Sequence, residues 1–134
     1  MLRARDIMSR DVICVKKDTP MLEGVKIMVE NHISGLPIVR DDMTLLGVLS
    51  EKDAIVLFYE GEEAENKTVA DYMTSPAVCF EESEALLNVC DFLLKNIFRR
   101  VPITSNGRLV GIIAVRDVLT SILQLRHKEF VSIN

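Results

Sequence analysis

Leu45-Leu46-Gly47-Val48-Leu49 runs directly into Ser50-Glu51-Lys52-Asp53, and Leu109-Val110-Gly111-Ile112-Ile113-Ala114 runs into Val115-Arg116-Asp117. Each stretch reads as an apolar strand that stops abruptly and turns into a helix with an aspartate in its first turn. Ser50 and Asp53 have the spacing of an N-cap and the third helical position, which supports two readings. In one, Ser50 caps the helix and Asp53 favours the positive end of the helix dipole, an effect of ~1 kcal/mol or less. In the other, the carboxylate accepts hydroxyl protons from a bound molecule and Ser50 adds a hydrogen bond. Cations stand close by: Lys52 and Arg116 immediately precede the two aspartates, and Arg99-Arg100 forms a further basic pair. A guanidinium presents a planar fork that suits phosphate oxygens, although Arg99 and Arg100 read equally well as solvated or carboxylate-paired surface residues. The second copy departs from the first, because Ala114 stands where Ser50 does and brings neither the capping hydroxyl nor that ligand contact.

No constellation offers a nucleophile with its base. The two histidines, His32 and His127, lie far apart in sequence, and there is no Ser/His/Asp set, Walker loop or metal-ligand spacing. The expectation is therefore a protein that is not an enzyme, with no catalytic residue, no metal site and no required cofactor. Cys14, Cys79 and Cys90 form no CxxC pair, and no apolar signal region follows Met1. This points to reduced thiols in the cytoplasm, with Cys14 and Cys79 as small core residues. A formal net charge of −4 disfavours nucleic acid or an anionic membrane as partner. No apolar run approaches the ~20 residues needed to span a bilayer. His32 reads as structural, and the methionines as core or dimer packing.

The elements that must position these residues come in two copies. Asp6-Ile7-Met8-Ser9 matches Asp71-Tyr72-Met73-Thr74, Val12 to Val15 matches Ala77 to Phe80, and Leu36-Pro37-Ile38 matches Val101-Pro102-Ile103, all at one offset. The offset shortens by one residue after the turn Asp41 to Thr44, as loops in structural repeats tolerate. In the first copy, Val12 to Val15 reads as a strand. Thr19-Pro20 reads as a helix start, with threonine as cap and proline at the first helical position. Residues 20 to 31 follow as an amphipathic helix with Leu22, Val25, Met28 and Val29 at helical spacing. Strands at 36 to 40 and 45 to 49 and a helix from 51 to about 59 complete the repeat. In the second copy the helix spans 84 to 97, with Leu86, Cys90, Leu93, Leu94 and Ile97 on one side. Asn106-Gly107 marks a two-residue hairpin, since both positions accept positive φ, and the last helix runs from 115 to 125.

These patterns predict an α/β (α+β) fold of two β-α-β-β-α repeats, packed through their sheets with pseudo-two-fold symmetry. The boundaries expected are residues 1–60 for the first repeat, 61–67 for an acidic linker, 68–126 for the second repeat and 127–134 for a frayed tail. The 134 residues, 49% of them hydrophobic, suffice for a real core. Two equivalent clefts follow from the symmetry.

In order and spacing, the paired pieces resemble the cystathionine-β-synthase (CBS) domain, whose repeats occur in tandem. The resemblance rests on Asp6 to Ser9, Thr19-Pro20, His32 to Val39 and Gly47 to Asp53, with Asp71 to Thr74, Arg99 to Ile103 and Gly111 to Asp117 in the second copy. It implies a regulatory module that senses AMP, ADP, ATP or an S-adenosylmethionine-type ligand in clefts between the repeats. It also implies association into homodimers, and any effector is expected to be a separate protein. By the same resemblance Asp53 accepts the protons of a ribose diol. One cleft would pair Val48, Ser50, Lys52 and Asp53 with Met73, Val78, Arg99 and Arg100. The other would pair Ile112, Arg116 and Asp117 with Met8, Ile13, Ser34 and Gly35. Apolar members would sandwich the adenine, although Ile13 and Val78 are equally expected as plain core. The competing function is a ligand-free dimerisation or protein-interaction module that uses helix faces bearing Val25, Met28, Leu93 and Ile122.

Overall fold

A computed structural model describes residues 1 to 133, with side chains described through Arg126. In chain order the elements are α1 (Ala4–Ile7), β1 (Val15–Lys16), α2 (Met21–Glu30), β2 (Gly35–Val39), β3 (Leu45–Ser50), α3 (Glu51–Ile55) and α4 (Leu57–Glu60). A 3-10 turn at Gly61–Asn66 leads to α5 (Val69–Tyr72), β4 (Phe80–Glu81), α6 (Leu86–Lys95), β5 (Arg100–Ser105), β6 (Arg108–Ala114) and α7 (Val115–Ile133). The result is an α+β fold with two three-stranded sheets, ordered β1-β2-β3 and β4-β5-β6. In each sheet the short first strand lies parallel to the second, with Val15 opposite Ile38 and Phe80 opposite Ile103. The expected strands at 12 to 15 and 77 to 80 shrink to two residues each, because only those two find ladder partners.

The chain forms two compact units that do not follow the repeat boundaries. One contains residues 1–12, 79–105 and 110–134; the other contains 13–78 and 106–109. Each repeat's sheet and first helix thus receive the short helix that precedes the other repeat's first strand: α5 joins the first sheet and α1 joins the second.

In the unit built on the first sheet, Met21, Leu36, Ile38, Leu49 and Val69 are fully buried in one core. Pro20 occupies the N-cap and Met21 opens the helix, so the proline sits one position earlier than expected and Thr19 makes no side-chain cap. The buried face is Met21, Gly24 and Met28, whereas Leu22 and Val29 are exposed. At the far end, Ile33 N–H donates to the Met28 carbonyl and His32 N–H to that of Val29, a Schellman closure with His32 at φ 53°. Both Met28 and Ile33 are buried, which supplies the apolar contact that such an ending favours. The expected helix from 51 to 59 is broken at Val56 into α3 and α4.

In the unit built on the second sheet, Ala4, Val89, Val101, Ile103 and Ile113 form the core. Leu94 and Ile97, expected on the buried side of the helix, are exposed, and Val89 takes the central position. Met28 is core, Val25 and Leu93 are partly buried against the cores, and Ile122 is 46% exposed. Cys79, expected in the core, is exposed, because the chain before β4 has no ladder partner. The hairpin turn has Asn106 at φ 52° and Gly107 at φ 81°, as its sequence requires. The last helix continues to Ile133, past the expected Leu125, through a stretch without glycine or proline. Asn134, the end of the expected tail, lies outside the described residues.

Candidate functional site

Strand β3 ends at Ser50, and the first turn of α3 brings Asp53 back over it. Ser50 N–H donates to Asp53 Oδ2 at 2.8 Å, and Ser50 Oγ lies 2.9 Å from the same oxygen. Asp53 N–H donates in return to Ser50 Oγ at 3.2 Å, which completes a capping box. Thr74, just after α5, points its hydroxyl at the carboxylate, 3.3 Å from both oxygens. The strand meets this segment directly: Val48 and Thr74 exchange both backbone bonds, at 3.1 and 2.9 Å. Gly47 is required there, since a Cβ would stand 2.6 Å from the Thr74 carbonyl oxygen and 2.8 Å from Met73 Sδ. Ser34 and Gly35 adjoin the same strand end, with Gly35 opposite Ser50 and the Ser34 carbonyl accepting from Glu51 N–H. A half-buried carboxylate therefore stands in a ring of small hydroxyls and backbone.

The second copy repeats the backbone but not the hydroxyl bonds to the carboxylate: Ala114 replaces Ser50, and Ser9 stands in the place of Thr74. Ala114 N–H donates to Asp117 Oδ2 at 2.7 Å. Ile112 and Ser9 exchange both backbone bonds at 2.9 Å, and a Cβ on Gly111 would lie 2.5 Å from Met8 Sδ. Arg99 is tied at its carbonyl by Val115 N–H at 3.0 Å, which sets the basic pair beside the end of β6.

Of the residues singled out in the sequence, Ile13, Ser34, Gly35, Val48, Ser50, Lys52, Asp53, Met73 and Val78 belong to one unit. Met8, Arg99, Arg100, Ile112, Arg116 and Asp117 belong to the other. Lys52, Arg99, Arg100 and Arg116 are exposed. Ile13 and Val78 are also exposed, 40% and 52%, so neither is core, because the extended chain before β1 and β4 is unpaired. Thr74 was missed as a site residue. The signal was its place in the repeated Asp-x-Met-Ser/Thr, where Ser9 holds the equivalent position.

The aspartate arrangement is not confined to this place. Asp6 and Asp71 accept their N-cap N–H groups, from Arg3 and Thr68, at 2.7 and 2.8 Å. The bond from Thr68 N–H holds the Asp71 carboxyl below its usual range. Desolvation pushes the Cys14 and Cys90 thiols up, which leaves them poor nucleophiles. Among the described residues, no group of three or more His, Cys, Asp or Glu side chains is placed to hold a metal ion.

The CBS domain family model matches residues 4–60 and again 69–124. The chain belongs to the CBS domain family. It is 30% identical to hypoxic response protein 1 of Mycobacterium tuberculosis over 135 aligned positions, which cover 98% of this chain and 92% of the relative. It is 33% identical to the uncharacterized protein MJ1225 of Methanocaldococcus jannaschii, of which it spans 41%. It also spans 23% of an inosine-5'-monophosphate dehydrogenase from the same organism, at 32% identity. Among solved structures, CBSX2 in complex with AMP matches at TM-score 0.83 and 28% identity over 94% of this chain and 99% of that one. Hypoxic response protein I with two coordinated zinc ions matches at TM-score 0.78 and 28% identity, over 90% and 99%. The chain is thus a tandem CBS pair, and no helix among its described residues is long and apolar enough to cross a membrane.

Proposed function

We propose that this CBS pair is a regulatory, non-catalytic module of the cytoplasm that binds adenine nucleotides or related adenosyl compounds. Asp53 carries the reading. A carboxylate accepts both protons of a ribose diol, and Ser50 and Thr74 supply hydroxyls beside it that can exchange their bonds to the carboxylate for bonds to ligand. The exposed cations Lys52, Arg99, Arg100 and Arg116 are available for phosphate, and the half-exposed Ile13 and Val78 for the faces of a base. The AMP-bound structure of the similar CBSX2 supports the ligand class. Among the described residues no group pairs a nucleophile with a base, and in this reading the chemistry is binding, which an effector reads.

A second reading is a dimerisation or protein-interaction module without ligand. It is favoured by apolar side chains left in solvent, among them Phe58 at 95%, Leu94 at 85% and Leu123 at 72% exposed. The two readings are compatible if a homodimer buries those faces and the nucleotide adjusts it.

Thermal melting against AMP, ADP, ATP, NAD and S-adenosylmethionine separates them. A ligand that binds the native state alone stabilises it by about 2.7 kcal/mol at a hundredfold excess over Kd. A selective rise in melting temperature is the expected result. A flat response to every compound at millimolar concentration, in a protein that elutes as a dimer, would replace the sensor by the interaction module.

A further inference from the structure

Each repeat receives one short helical segment, and the two segments dock through the same backbone bonds. In one unit, Ala4 N–H donates to Glu84 at 2.8 Å, Arg5 N–H to Glu82 at 3.0 Å, and Leu86 N–H to Leu2 at 2.9 Å. In the other, Val69 N–H donates to Thr19 at 2.9 Å, Ala70 N–H to Lys17 at 3.4 Å, and Met21 N–H to Lys67 at 2.9 Å. These bonds correspond one for one under the repeat, so the backbone does not distinguish α1 from α5.

The side chains do. On the first repeat the receiving helix offers Gly24, and a Cβ there would stand 2.6 Å from Val69 Cγ1 and 3.4 Å from Leu49 Cδ2. On the second repeat the equivalent of Gly24 is Val89, and the equivalent of Val69 is Ala4; both lie in one core. Ala4, Val69 and Val89 are all fully buried. Where the helix gives up its side chain the segment supplies valine, and where the helix carries valine the segment is cut to alanine. The exchanged arrangement would press Val69 against Val89 and set Ala4 over Gly24, giving one overpacked seat and one void.

We propose that Gly24–Val69 and Ala4–Val89 form a volume key that assigns α5 to the first repeat and α1 to the second. The four are positioning residues, because docking decides which side chains complete each strand-to-helix turn. Docked α5 delivers Thr74 to Asp53 and Met73 to Gly47, while docked α1 delivers Met8 to Gly111 and Ser9 to Ile112. The key acts whether or not a nucleotide binds.

Two variants of the full chain test it. A half exchange, Gly24→Val with Val89→Gly, mis-keys both seats. A full exchange adds Ala4→Val with Val69→Ala and restores both pairs with the composition unchanged. The half exchange is expected to lower the melting temperature by about 10 °C or more. It should also speed hydrogen exchange at the Ala4 and Val69 amides while the core amides of Ile38 and Ile103 stay protected. The full exchange is expected to recover at least about half of the lost melting temperature and the protection of both segments. A half exchange as stable as the wild type, or a full exchange no better than the half, would overturn the key. Should the half exchange fail to fold, folding of the full exchange supports the key and its failure to fold overturns it.

Discussion

Asp53 and Asp117 occupy equivalent places and lead different lives. Asp53 bonds Ser50 N–H, the Ser50 hydroxyl and the Thr74 hydroxyl, whereas Asp117 accepts only Ala114 N–H among the described residues. The backbone half of this pattern recurs at Asp6 and Asp71, and at Asp71 the cap hydroxyl of Thr68 recurs as well, so capping accounts for an aspartate at all four positions without any ligand. What Asp53 adds is a second hydroxyl, from Thr74 on another segment, and that addition separates a capping residue from a candidate receptor of diols. A repeated fold keeps its skeleton and varies function at single side chains.

The comparison breaks most visibly at the glycines under the docked segments. Gly47 faces the Thr74 backbone carbonyl, which cannot give way, while Gly111 is closest to the flexible end of Met8, with the Ser9 carbonyl farther off at 3.0 Å. Gly47→Ala is therefore expected to cost about 3 kcal/mol, and Gly111→Ala about 1 kcal/mol, in denaturant unfolding. Equal costs would show that methionine is as rigid as backbone there.

The capping contrast is smaller. Asp53→Ala removes the carboxylate half of the box, with its bonds from Ser50 N–H and hydroxyl, and the link to Thr74, whereas Asp117→Ala removes one bond. Losses of about 2 and about 1 kcal/mol are expected from the same unfolding curves.

Tyr72 sharpens the contrast through pH. It donates to Glu60, a bond that lifts the phenol to about 12, while its repeat equivalent Ile7 has no hydroxyl. A raised folded-state pKa means that the added stability is fully present below the unfolded value near 10 and is lost as pH rises toward 12. The melting temperature should fall across that window in the wild type and fall less in Tyr72→Phe.

The smallest effect is expected at a helix end. α2 closes with His32 in the left-handed region, whereas α6 ends at Asn96 in extended geometry. His32→Gly is expected to stabilise by about 0.5–1 kcal/mol, visible as a raised denaturant midpoint; Ile97→Gly, its counterpart, should bring no gain.

The repeat, the strand-to-helix turns and the Asn106-Gly107 hairpin were legible because each is encoded by contiguous residues with strong local rules. The Ser50–Asp53 box was legible for the same reason. Thr74 was not, because it meets Asp53 only after α5 docks on the first repeat, a long-range event without local signature. The helix faces were misread at Leu22, Val29, Leu94 and Ile97 because apolar residues ring both helices, so spacing alone did not select the buried stripe. Gly24 and Val89 hold those stripes, and their sizes make sense only beside Val69 and Ala4.

The central claim is that an aspartate at the strand-to-helix turn receives a ribose diol. Calorimetric titration with AMP and with 2′-deoxy-AMP, against wild type and Asp53→Ala, tests it most directly. Hydrogen bonds to a charged group are worth about 1.5–3 kcal/mol. The wild type should therefore prefer AMP by about tenfold or more, and the preference should collapse in the variant. Equal affinities for the two nucleotides in the wild type, or a preference that survives Asp53→Ala, would contradict the account.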